Sequence, residues 1–233
     1  MLGKTPKPKP AAKKTATAPK PAAVKKAATA ALAGAPKRRN GLSRDKILAV
    51  ATKLFAERGY AGISIRDIAG ACDIGIPSIY HFFGDKDSLY VSCCQQLFGE
   101  VEETLRNSLK ESDSSEMRVF KFTVTLCDIL LKKRDFRRLL QMGLLQDEHR
   151  GIEDITAHNF MSAFQMLIKG ISDLAGTAKA DECAMMIFAL VFGQIELHRV
   201  AQMANADVTL GGNPEPLARH VLNVALPGHD WTH

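Results

Sequence analysis

Apolar residues recur three and four apart along most of the chain beyond residue 42, and no stretch alternates apolar with polar for any length. That period predicts helices throughout. Ile47, Leu48, Ala51, Leu54 and Phe55 form the apolar stripe of a first helix that opens at Ser43 and stops at Gly59-Tyr60. Ser64 to Cys72 reads as a short second helix. Ser64 can hold the free N–H groups of its first turn, and Ile65, Ile68 and Ala69 supply its apolar face. Asp73, Ile74 and Gly75 make a tight turn, because Asp tolerates a left-handed backbone and Gly adopts it freely. Pro77 then falls in the first turn of a third helix, where its missing N–H costs nothing. This helix sends Ile79 and Phe83 inward and leaves Ser78, Tyr80 and His81 outward. Two short helices around a tight turn form a helix-turn-helix, whose second helix can enter a DNA major groove.

A longer helix follows from Asp87 to about Lys110, carrying Leu89, Val91, Leu97, Val101 and Leu105. Further helical segments run from Ser114 or Ser115 to Leu131, from Asp135 through Leu145, and from Gly151 to Ala175. The last two run from Asp181 to about Asn205 and, after the Gly211-Gly212 break, from Pro214 to Leu226. The expected fold is all-α. Residues 42–88 make an N-terminal three-helix helix-turn-helix domain, 89–227 a helical domain, and 228–233 a flexible end. Ala184–Leu197 is apolar nearly all round, so it needs cover on more than one side.

Charge divides the chain. Residues 1–40 hold eleven Lys or Arg and no Asp or Glu, so a whole-chain charge of +6 leaves the other 193 residues at −5. Repeated Pro and scarce bulky apolar residues predict that 1–41 is a disordered Lys/Ala/Pro-rich tail. It reads either as a solubilising leader or as an arm that neutralises phosphates, with Lys37, Arg38 and Arg39 best placed beside the first domain. Five cysteines without zinc-type spacing fit a reducing compartment. A redox role for the adjacent Cys93 and Cys94 is the alternative to plain burial. The N-terminus lacks the apolar core of a secretory signal, and the longest apolar run is too short to span a bilayer. The expected location is therefore the cytoplasm, at the nucleoid, with no membrane partner.

Chemistry separates roles within the helix-turn-helix. Hydroxyls of Ser64 and Ser78, the Tyr80 phenol, and the charges of Arg44 and Lys86 suit phosphate and sugar contacts, as does Lys46 beside Arg44. Ile76, Pro77, Ser78 and His81 would meet base edges, the apolar pair against a thymine methyl. Phe82 could pack or contact. No nucleotide loop, nucleophile elbow or zinc signature points to an enzyme or a bound cofactor. Asp147-Glu148-His149-Arg150 invites a metal reading, but consecutive helix positions point different ways, so no metal site is expected.

The run from Ser64 to Leu89 resembles the DNA-binding signature of the TetR/AcrR transcriptional regulators. Ser64, Ile68-Ala69, Tyr80, Phe83, Lys86 and Leu89 fall in its register, and Ile47, Ala51, Leu54, Phe55 and Gly59-Tyr60 match its first helix. Asp73 stands where that pattern has Gly. The resemblance implies a homodimeric regulator, a repressor that binds a palindromic operator in double-stranded DNA and is released by a small apolar effector. It implies a connector helix after Lys86 and a dimer interface through the last two long helices, about 181–205 and 214–226. It also implies a cavity in the second half. Phe120, Val124, Cys127, Gln141, Leu145, His149, Phe160 and Phe164 are its candidate lining. The competing reading is a nucleoid-type architectural protein driven by the basic tail.

Overall fold

The computed structural model describes residues 41–145, 153–203 and 212–232, and the fold is built from helices. The basic tail, including Lys37, Arg38 and Arg39, lies outside the described residues, as does His149.

The first helix, α1 (Gly41–Arg58), starts two residues before the Ser43 expected from sequence. Gly59 ends it at φ +74°, a left-handed turn that L side chains resist. Gly62 has a different reason to be glycine. A Cβ there would lie 2.4 Å from the Arg58 carbonyl oxygen, so the chain can double back over the helix end only without a side chain. Two short helices follow, α2 (Ile65–Cys72) and α3 (Ile76–Phe83). Ile47, Ala51, Phe55, Ile68 and Ile79 are almost wholly buried and make the small core of this head.

α4 (Lys86–Ser108) begins in that core with Leu89, Cys93 and Cys94 and leaves it with Phe98, Val101 and Leu105, all buried. At 23 residues it is about 35 Å long. The rest of the body consists of α5 (Ser115–Lys132), α6 (Arg134–Leu145), α7 (Glu153–Ala175), α8 (Ala180–Met203) and α9 (Pro214–Ala225). α5 runs through the middle, packed by α4, α7, α8 and α9. α6 touches both the body and α1, where the Arg138 guanidinium donates to the Ala56 carbonyl at 3.5 Å.

Two sequence expectations need correcting here. Residues 228–233 were expected to be a loose end, yet Trp231 is only 2% exposed. Arg219 on α9 donates to the Trp231 carbonyl, which draws the segment back onto the body. Phe120 was expected to line a cavity. It is instead a packing surface for the same arginine, whose guanidinium sits 4.9 Å from its ring centre.

Candidate functional site

Local chemistry sets the helix-turn-helix geometry. The Ser64 hydroxyl accepts from the Asp67 N–H at 3.2 Å, and the Asp67 carboxylate accepts from the Ser64 N–H at 2.8 Å, a reciprocal capping box. The hydroxyl also donates to that carboxylate at 2.5 Å, and these bonds from Ser64 hold Asp67 below the usual carboxylate range. Ser64 is therefore committed to its own helix end rather than left free for phosphate.

The other end of α2 closes in the Schellman pattern. The Ile74 N–H donates to the Ala69 carbonyl at 3.1 Å and the Asp73 N–H to the Gly70 carbonyl at 3.2 Å. Asp73 takes the left-handed position at φ +56°, as its place in the turn predicted. Lys46, a candidate phosphate contact, instead donates to the Cys72 carbonyl at 3.1 Å and covers the last turn of α2.

α3 presents one face outward. Pro77, Tyr80 and His81 are exposed, Tyr80 by 50%, and Ser78 is half-buried beside them. Ile79 is fully buried and Phe83 nearly so, which fixes the roll of the helix. Ile76 and Phe82 are half-buried against the core, so Ile76 offers less surface to a base than its sequence position implied. Arg44 is exposed, and its guanidinium lies 5.1 Å from the Phe83 ring centre.

The start of α4 is anchored by aromatic packing. Phe55 meets Tyr90 edge-on at 4.9 Å and stacks on Tyr60 at 6.1 Å. The Tyr60 hydroxyl donates to Asp87, and burial followed by that carboxylate pushes its acidity well below that of an ordinary phenol. The Lys86 ammonium sits 4.1 Å above the Tyr60 ring, so this candidate DNA contact is also part of the anchor.

Cys93 and Cys94 are 0% and 1% exposed, and burial pushes both thiols up to about 12, as it does for Cys127. At neutral pH they are protonated, whereas redox chemistry needs the thiolate. The native state keeps these protons where the unfolded chain, near 9, loses them. Stability should therefore be insensitive to these thiols below pH 9 and fall from there towards pH 12, by about 1 kcal/mol per pH unit per thiol. Thermal melts against pH check this: replacing the three cysteines by alanine should flatten the decline above pH 9.

The body holds a partly open cavity of about 250 Å³. α4 contributes Phe98, Val101, Glu102 and Leu105, and α5 contributes Leu126 and Leu130. α6 adds Phe136 and Leu140, α7 adds Ala163, and α8 adds Met185, Phe188, Ala189 and Phe192. Phe98 and Phe136 meet edge-on at 5.0 Å. Of the eight lining residues expected from sequence, the five whose side chains are described, Phe120, Val124, Cys127, Gln141 and Phe164, are not among those that line this cavity. Cys127 is buried core, Val124 and Gln141 are half-buried elsewhere, and Phe164 stands behind the wall, 5.7 Å from the Phe188 ring. The side chains of Leu145, His149 and Phe160 lie outside the described residues. One signal for this lining was present in the sequence: Glu102 interrupts the apolar stripe Phe98, Val101, Leu105, and a carboxylate on a buried helix face needs a reason.

A capped helix-turn-helix head joined through the long α4 to a helical body is the architecture of a helix-turn-helix DNA-binding module carried on a helical domain. Residues 47–93 match the family described as bacterial regulatory proteins, tetR family. The biofilm operon icaADBC negative transcriptional regulator IcaR of Staphylococcus aureus (strain Newman) is 31% identical over 112 residues, 46% of this chain and 58% of that protein. The transcriptional repressor DhaR of Mycobacterium sp. (strain GP1) is 27% identical over 75 residues, 32% of this chain and 38% of its own length. The chain thus spans well under two thirds of each of these relatives. Among solved structures, the regulator FadR from Bacillus subtilis in complex with stearoyl-CoA superposes with a TM-score of 0.62 at 17% identity, covering 79% of this chain and 98% of its own. Residues 47–93 thus carry the DNA-binding domain of the tetR family of bacterial regulatory proteins, and the described helices share the fold of solved TetR-family structures.

Proposed function

We propose that the chain is a homodimeric repressor that reads a palindromic operator through α3 and lets go when a small apolar effector fills the cavity. The observation that carries this reading is the course of α4. Its first turns are buried in the head with Leu89 and Cys93, and its later turns supply Phe98, Val101, Glu102 and Leu105 to the cavity wall. A ligand that shifts α4 must shift the head with it. α6 offers a second path, because Phe136 and Leu140 line the cavity while Arg138 bonds to α1. Release is then a population shift towards a head spacing that no longer matches successive major grooves.

Pairing through α8 and α9 is supported by the apolar side chains they leave open. Leu197, Val200 and Met203 are 61%, 59% and 86% exposed, and Val224 on α9 is 51% exposed. A face of this kind is ordinarily covered by a partner. In this reading Ser78, Tyr80, Lys86 and Arg44 hold phosphates, with the Ser64 end of α2 contributing backbone N–H groups, while Pro77, His81 and the free edge of Ile76 meet bases. Lys37, Arg38, Arg39 and the rest of the basic tail add affinity without adding sequence preference.

The test begins with selection of bound fragments from random duplex DNA, followed by binding titrations on the selected palindrome. Tyr80→Phe and Lys86→Ala should weaken binding to every duplex alike. His81→Ala and Ile76→Ala should change which base is preferred, by about 1–3 kcal/mol at one position. An unchanged preference in both would move the reading edge elsewhere. Deleting residues 1–40 should leave the preference for one palindrome intact, whereas an architectural protein would lose nearly all binding.

A further inference from the structure

Resting on the reading of the cavity as the effector site, we propose that its ligand is a lipophilic cation: a protonated amine at the end of a short hydrocarbon body. Among the described residues, thirteen line the cavity, and Glu102 is the one ionisable side chain of the thirteen. Among the described residues, no lysine, arginine or histidine lines the space. A ligand with an anionic head would bring its charge against the Glu102 carboxylate in apolar surroundings, where like charges repel strongly.

Glu102 is held ready for the opposite charge. Its side chain is 25% exposed, which places it at the rim. Its Oε1 accepts from the Ser162 hydroxyl on α7 at 2.8 Å, and this bond orients the carboxylate across the α4–α7 junction. The same oxygen holds Arg106 at 2.5 Å. The Arg106 side chain is 61% exposed, so its guanidinium can swing into water at little cost, as surface ion pairs generally allow. An ammonium rising from the cavity then takes its place, keeping the charge balance at Glu102 while the hydrocarbon fills the space below. Phe98, Phe136 and Phe188 make that floor apolar and aromatic. At interior packing density, 250 Å³ accommodates about ten non-hydrogen atoms with room to spare, so the fitting body is short.

The experiment compares three probes that share one tail: octylamine, octanol and octanoate. Binding to the full chain is measured by titration calorimetry at neutral pH, where the amine is protonated as a lysine is. Octylamine should bind at least about tenfold more tightly than octanol, and octanoate should bind most weakly. Glu102→Gln, which keeps the shape and removes the charge, should erase the amine's advantage and leave octanol within about threefold of its original affinity. Octanoate binding as tightly as octylamine, an amine preference that survives in the glutamine variant, or no binding of any of the three would each overturn the proposal. Operator affinity is followed in the same samples. Octylamine that binds at Glu102 without loosening DNA leaves the ligand assignment standing and overturns the release mechanism.

Discussion

Phe55→Ala should destabilise the protein by about 3–5 kcal/mol, which is a third or more of the stability of an ordinary domain. Phe55 is fully buried, so the substitution removes a complete aromatic side chain from the packed interior. Its ring also closes a stack with Tyr60 and meets Tyr90 edge-on, contacts that join the end of α1 to the start of α4. The neighbours are poorly placed to collapse into the space. Tyr60 is pinned by its bond to Asp87 and capped by the Lys86 ammonium, so the void persists. Urea unfolding of the variant and the parent chain measures the loss. A loss below about 1 kcal/mol would mean that the aromatic cluster packs loosely. Because α4 is anchored through this cluster, operator affinity should fall in parallel even at temperatures where the variant remains folded.

The second large effect concerns assembly. Leu197→Lys combined with Val200→Lys should convert the proposed dimer into a folded monomer. Both side chains are more than half exposed in the single chain, so lysine costs the monomer almost nothing there. Across a two-fold interface the same substitutions bury charge against charge, which no nearby rearrangement relieves. Sedimentation should show the halved mass, and circular dichroism should be unchanged. Two linked heads gain roughly 10²–10⁴ in affinity over one, so operator binding should drop by at least about a hundredfold. A variant that remains dimeric would place the pairing surface somewhere other than α8.

The parts of this protein that were readable in advance are those made by residues close together in the chain. Ser64 with Asp67, the Asp73-Ile74-Gly75 turn, and Pro77 at the start of α3 are bonds and backbone preferences spanning a few positions, so spacing alone announces them. Burial of Ile68, Ile79 and Phe83 follows in the same way from the helical period. The exposure of Tyr80 and His81 is simply the other half of that period.

The cavity was not readable, and the reason lies in its construction. Its wall is drawn from five helices, with Phe98 near the middle of the chain and Phe192 far beyond it. Periodicity says that an aromatic points inward, but not whether it fills the interior or borders a gap. That depends on how neighbouring helices cross. Phe120 and Phe164 had the same pattern as Phe98 and Phe136, yet one is covered by Arg219 and the other stands behind Phe188. The fate of Lys46 and Lys86 was decided likewise, by a carbonyl and a ring that only folding brings near.

The residues by themselves therefore determined an all-helical chain with a capped reading head and a defined outward edge, because helix formation, capping and turns are local energies. Only the tertiary structure decided where an empty space would lie, that Glu102 would stand at its rim, and that α4 would join it to the head. Those outcomes depend on which distant surfaces exclude water together, a property no single segment carries.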